Sequence, residues 1–277
     1  MLPKRKPSQL SVLTVRYLIL ALILLALVLP FIAFLVNAFA ERWFFPQFIP
    51  QEWSVEEWVR VFSGRGDVLE ALWNSTVIAV GVTALSVLIG LPAARALGLY
   101  EFRGKKIVEF LILAPIMIPP LTVGMGLSIN FLRAGLGGTM IGVALAHLVP
   151  VMPYVVFTLS GVFANYDVRY EEQARTLGAN PLRVFWHITL PAIFPGLVVA
   201  SLFAFLTSWS QYVLTFLIGG GRVITAPVLL FSSAAGGNRA NLAVQSLLFI
   251  FPALLILLLT ARYLSGKNNA IGGIGRV

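Results

Sequence analysis

Six apolar runs dominate this chain, each long enough to cross a bilayer and none charged near its middle. They lie near Tyr17–Phe39, Trp73–Ala94, Ile107–Leu132, Thr139–Phe163, Ile188–Ser208 and Leu242–Leu264. A membrane-spanning helix needs about 20 such residues. Barrel strands would instead alternate apolar and polar residues over about ten positions, and these runs do not alternate. Arg95, Glu109, Arg133 and Arg262 fall at or near the ends of runs. Composition agrees: 58% of residues are hydrophobic and 11% charged, which leaves too little polar surface to cover a soluble core. The expected fold class is an all-α integral membrane protein with six transmembrane helices. The expected organisation is an N-terminal tail over residues 1–16, a transmembrane domain over 17–265 and a C-terminal tail over 266–277. Ala38-Phe39-Ala40 has the form of a signal-peptidase site, but a signal h-region is only about 7–15 residues long. The first run is therefore expected to be an uncleaved anchor.

The net charge of +9 is explained by its distribution. Lys4, Arg5, Lys6, Arg16, Arg95, Arg103, Lys105, Lys106, Arg169, Arg175, Arg183, Arg262, Lys267 and Arg276 fall on one side of the six-span layout. Arg42, Arg60, Arg65, Arg133, Arg222 and Arg239 fall on the other, balanced by six acids. The positive-inside rule makes the first side cytoplasmic, with both termini. The excess is topological and implies no nucleic acid.

Most enzyme chemistries are excluded. The chain has no cysteine, so disulfides, thiolate metal sites and a cysteine nucleophile are ruled out. His147 and His187 are too far apart in sequence to suggest a metal site, and no paired carboxylates or Ser-His constellation stands out. Gly219-Gly220-Gly221-Arg222 lacks the Gly-Lys-Ser/Thr ending of a phosphate loop. No catalytic, cofactor or metal site is expected.

Two apolar regions do not suit a simple rod. Pro119-Pro120, followed by Gly124-Met125-Gly126, predicts a broken third helix, because each proline removes a backbone donor and bends the chain. From Ile188 to Gly221 no residue is charged; as one helix this run would extend about 51 Å, against a core of about 30 Å. Part of Trp209–Gly221 is expected to bend back or line a protein-walled cavity. Polar or interfacial residues in or near the spans are the candidates for a translocation path: Asn130, His147, Trp209, Gln211, Tyr212 and Asn238. A structural role competes for His147, which lies three residues before Pro150 and could satisfy a kinked backbone.

The most informative segment is polar and lies between the fourth and fifth runs, over residues 164–187. Asp167 can cap a short helix, Glu171 and Arg175 stand i, i+4 with the acid first, and Gly178 can end the helix. Asn180-Pro181 then opens a second one. On these features alone, an ordinary capped loop between two spans is a better reading than a docking knob, because short interfacial helices are common. Glu172-Gln173-Ala174, Gly178, Phe185, Ile188, Leu190-Pro191 and Pro195 together resemble the "EAA" signature of type I ABC-importer permeases, the inner-membrane subunits of binding-protein-dependent transport. Gln173 departs from the usual Ala but is equally compatible with a helix.

The resemblance implies a coupling helix between helices 4 and 5 that docks in a groove on a cytoplasmic ATPase, with Glu171, Glu172, Gln173, Ala174 and Gly178 as coupling residues. Glu172 would meet a basic ATPase residue, Ala174 would keep the docking face small, and Gly178 would allow the turn. It implies two copies of the ATPase, which binds the ATP, a second permease subunit expected to be a paralogue, an extracytoplasmic solute-binding protein, and surrounding lipid. Asn74-Ser75-Thr76, Ala114-Pro115-Ile116-Met117-Ile118-Pro119 and Ser208-Trp209-Ser210-Gln211-Tyr212 also resemble the spermidine/putrescine-type branch. That branch usually carries an Asp-Glu pair near Ser210-Gln211, and here the segment is neutral. The substrate expected is a small solute such as a polyamine or a related compound. An ion-coupled secondary transporter is the rival class; it would normally use intramembrane acids, and the central runs have none.

Overall fold

In the computed structural model, residues 9–43, 46–64 and 67–264 are described. The basic residues Lys4, Arg5, Lys6, Arg65, Lys267 and Arg276, and with them most of the two expected tails, lie outside these residues. Twelve α-helices and one small hairpin are formed among the described residues.

The chain forms two compact units, one of residues 1–65 and 233–248, the other of residues 66–232 and 249–277. In the first unit, helix α1 (Gln9–Ala38) is followed by strands β1 (Ala40–Arg42) and β2 (Glu52–Trp53), paired antiparallel, and by α2 (Glu56–Phe62). Trp58 of α2 stacks between Phe39 and Phe62, with ring centroids 5.6 and 6.4 Å away. From Tyr17 to Leu35 every side chain of α1 is exposed, as suits a helix facing lipid or another chain.

The second unit contains α3 (Val68–Leu99), α4 (Lys105–Met117), α5 (Pro120–Arg133), α6 (Met140–Ala164), α7 (Arg169–Thr176), α8 (Pro181–Val184), α9 (Leu190–Trp209) and α10 (Val213–Gly219). Helix α11 (Ala226–Gly236) begins in the second unit and ends in the first. Helix α12 (Arg239–Leu264) begins in the first unit and ends in the second. The core is built mainly by α3, α6 and α9. Val82, Val155, Leu159, Phe163 and Ile193 are buried there beside Leu214 and Ile218 of α10. Small residues allow the close approach: a Cβ on Gly98 would lie 2.6 Å from the Ser160 carbonyl oxygen, and one on Gly196 would collide with the Val162 side chain.

Among the described residues five helices are long and apolar enough to cross a membrane, and the bent pair α4–α5 brings the number to six when it is counted as one span. The third expected span is therefore not one rod: its halves meet at 100°. The cause is local. A residue before proline is driven into extended backbone, and here two in succession obey, Ile118 at φ −93°, ψ 133° and Pro119 at φ −54°, ψ 133°. Pro120 then starts α5 at the position that needs no N–H.

The overlong fifth run resolves in two ways. At its start, α8 runs into α9 through a π-helical turn, Phe185–Thr189, where the Leu190 N–H reaches back to the Phe185 carbonyl. At its end the chain breaks at Ser210–Tyr212 and continues as the short helices α10 and α11. The loop before α11 is held by α3: Asn74 Nδ2 donates to the Ile224 carbonyl at 3.0 Å, and Ser75 Oγ accepts the Ala226 N–H at 2.8 Å.

Candidate functional site

The polar segment after α6 folds into two short helices joined by a tight turn. Asp167 accepts the Arg169 N–H at 3.0 Å just before α7. At the other end, Gly178 takes φ +86°, its N–H bonds the Arg175 carbonyl, and the Ala179 N–H bonds the Ala174 carbonyl, each at 3.0 Å. These paired bonds are a Schellman closure, which calls for the left-handed conformation that glycine adopts without a Cβ penalty. Asn180 Oδ1 then accepts the Arg183 N–H at 2.8 Å, with Pro181 opening α8.

Glu171 anchors this unit. Its side chain is 2% exposed, and it receives both arms of the Arg95 guanidinium: Nη1 to Oε1 at 2.9 Å and Nη2 to Oε2 at 2.7 Å. Thr189 Oγ1 donates to Oε1 at 2.8 Å. One carboxylate thus ties α7 to the C-terminal part of α3 and to the π-helical turn before α9. Burial works against its charge, but the hydrogen bonds from Arg95 and Thr189 prevail and hold the carboxyl below its ordinary range. Arg95 is braced in turn by the Phe163 ring, 5.9 Å from its guanidinium carbon, a separation typical of cation–π contact.

The sequence pairs Glu171 with Arg175, but that contact is the weaker one, at 3.6 Å to an arginine 56% exposed. Arg95 and Thr189 are missed by sequence reasoning. Arg95 reads there as a topological charge, and its one signal is position, an arginine closing an apolar run just before a turn. With Glu171 turned inward, Glu172, Gln173 and Gly178 remain exposed and Ala174 is half-buried. Gln173 and Ala174 also line a groove of about 880 Å³ together with Val162, Tyr170, Ile188 and Pro191.

The path candidates do not form one cluster. Trp209 is 2% exposed, stacked on Phe205 and Phe249 with centroids 5.6 Å away, and its Nε1 donates to the Phe249 carbonyl at 3.1 Å. It is buried in a core cluster with Ala79 and Phe205. His147 is 1% exposed and fully engaged by Ser208 and Thr215, so it too is internal. Asn238 lies in the first unit, where it caps α12 through the Asn241 N–H at 3.0 Å and donates to Glu57 at 3.1 Å. Asn130 is exposed on α5, its amide bonded to the Gly126 carbonyl at 3.0 Å. Gln211 and Tyr212 sit half-buried at the break between α9 and α10, with Tyr212 stacked on Phe231 at 4.0 Å. No group of His, Asp and Glu that could hold a metal occurs among the described residues.

Residues 86–265 match the binding-protein-dependent transport system inner membrane component. The chain belongs to that family. It is a transport component and, like the family, a multi-pass inner-membrane permease. It is 32% identical to the molybdenum transport system permease protein ModB of Mycobacterium tuberculosis, over 72% of this chain and 81% of that protein. It is 26% identical to the spermidine/putrescine transport system permease protein PotC of Escherichia coli, over 91% and 93%. Its fold matches a bacterial ABC transporter that imports the acidic polysaccharide alginate, with a TM-score of 0.75 at 17% identity over 95% of this chain and 99% of that one.

Proposed function

We propose that this permease forms half of the translocation path of an ATP-driven importer and is coupled to a separate cytoplasmic ATPase through α7 and α8. The single observation that carries the reading is the Glu171 anchor. It fixes α7 to two core helices while Glu172, Gln173 and Gly178 stay free to meet a partner. On this reading two ATPase copies bind and hydrolyse the ATP, and a second permease, a paralogue, completes the path. A solute-binding protein delivers the substrate from outside, and both termini face the cytoplasm.

Two substrate classes are in play, because the family relatives include permeases named for polyamine and for molybdenum transport. From Gln173 to the C-terminus this chain has no Asp or Glu, and the break after α9 presents neutral Gln211 and Tyr212. That composition offers a polyamine no acidic side chain anywhere after Glu172 and favours an oxyanion. The test is uptake by the complete complex in proteoliposomes, with labelled molybdate and labelled spermidine each supplied on the cognate binding protein. ATP-dependent uptake that disappears when the ATPase is omitted supports the importer. Uptake driven by an ion gradient without the ATPase overturns it, and spermidine transport without molybdate transport overturns the oxyanion assignment.

A further inference from the structure

His147 lies on α6, 1% exposed, between two hydroxyls that are themselves buried. Its Nδ1 is 2.9 Å from Ser208 Oγ, in the last turn of α9, and its Nε2 is 2.9 Å from Thr215 Oγ1, in the first turn of α10. The direction of every proton in this set follows from one bond. Thr215 Oγ1 donates to the Gln211 carbonyl at 2.9 Å, and a hydroxyl has only one proton to give. Toward His147 it must therefore accept, so Nε2 carries the hydrogen. Nδ1 is then the acceptor and takes the Ser208 hydroxyl proton. The result is a one-way chain from Ser208 through His147 and Thr215 to the Gln211 carbonyl, with no ring nitrogen left for a substrate or a mobile proton.

The geometry of this chain gives it a task. It holds both sides of the break, Ser208 before and Thr215 after, and it ends on the backbone of Gln211 itself. We propose that His147 is a positioning residue that sets the bend between α9 and α10 and thereby aims the Gln211 side chain along the translocation path. This rests on the reading of Gln211 as a path residue, and the experiment separates the two ideas.

This chain has no cysteine, so Gln211→Cys gives it a single thiol, read on this subunit alone, while leaving the backbone carbonyl in place. Its rate of modification by a small, charged thiol reagent is measured in the complete complex in lipid. Ala134→Cys, in the exposed turn after α5, serves as the reference. His147→Leu and Thr215→Val each break the chain and leave buried hydroxyl or carbonyl groups unpaired. Each is expected to raise the Gln211→Cys rate about tenfold, with the Ala134→Cys rate unchanged. His147→Gln, which keeps one acceptor and one donor, and Thr215→Ser, which keeps the hydroxyl, are expected to leave both rates within about twofold. A Gln211→Cys rate that is unchanged or lowered in both disruptive variants overturns the positioning role. A thiol that is unreactive in the otherwise unaltered complex overturns the path assignment and the proposal with it. Equal acceleration at Ala134→Cys marks general loosening and also overturns it.

Discussion

Replacing Glu171 by Ala removes the tie between α7 and the core, and the effect can be worked from its contacts. Both charge-assisted bonds from Arg95 and the bond from Thr189 are lost, and the guanidinium is left over the Phe163 ring without its carboxylate. Breaking a buried ion pair typically costs about 3–5 kcal/mol. Arg95 is 28% exposed, so water recovers part of its solvation and the lower end, about 3 kcal/mol, applies. That corresponds to roughly two orders of magnitude in the equilibrium between docked and detached α7. Hydrogen exchange of the amides of residues 169–176 in lipid nanodiscs reads this equilibrium directly. Protection there is expected to fall about a hundredfold, while amides in the middle of α6 and α9 keep theirs. Glu171→Gln keeps one acceptor but turns an amide toward the other guanidinium arm, and falls between Ala and the native residue. Protection that stays within about threefold of native in Glu171→Ala refutes the claim that this carboxylate holds the segment.

The same anchor depends on pH in a defined direction. Glu171 is held below its ordinary value of 4.5 in the fold, so its contribution is fully present above that value and is lost as pH falls through the lower folded one. Protection of α7 should be level from neutral pH down to about 5 and decline at more acid pH, and Glu171→Gln should abolish that decline. Gly98→Ala places a methyl 2.6 Å from the Ser160 carbonyl oxygen and is expected to destabilise by about 1–3 kcal/mol. Gly81→Ala meets nothing within 4 Å and should be neutral or mildly stabilising; thermal unfolding of the two variants in one detergent gives the comparison. Ser75→Ala leaves the buried Ala226 N–H without its acceptor, a loss of about 1–3 kcal/mol, read as faster exchange confined to the start of α11.

Much of this architecture is legible in the sequence because the bilayer demands it. Apolar runs of sufficient length locate the helices to within a few residues, since lipid offers backbone groups no alternative partners. Pro119-Pro120 announces the bend of the third span, although the 100° angle depends on both preceding residues going extended together. The caps of α7 and α8 follow from Gly178 and Asn180-Pro181, because these are local chemistry. What the sequence hides is pairing across distance. Arg95 stands 76 positions from Glu171, and nothing in either neighbourhood marks the other. His147 and Trp209 are polar or interfacial by residue type, yet their partners lie on other helices and make them core residues. Composition cannot distinguish a polar group facing a cavity from one satisfied by a neighbouring helix.

In the proposed coupling, the turn closing α7 transmits ATP-driven motion to this permease. Gly178 sits at φ +86° with open space around it, and its N–H bonds the Arg175 carbonyl. Proline cannot adopt that angle or donate that bond. Gly178→Pro therefore disrupts the exposed turn and leaves the spans untouched, while Glu172→Lys reverses one exposed charge and leaves the fold alone. The decisive measurement is ATP hydrolysis and solute uptake, taken together, for both variants in proteoliposomes containing the complete complex. Normal membrane insertion and continued hydrolysis are expected, with uptake per ATP lost in both, if the turn carries the coupling. Native uptake per ATP in both variants would contradict it.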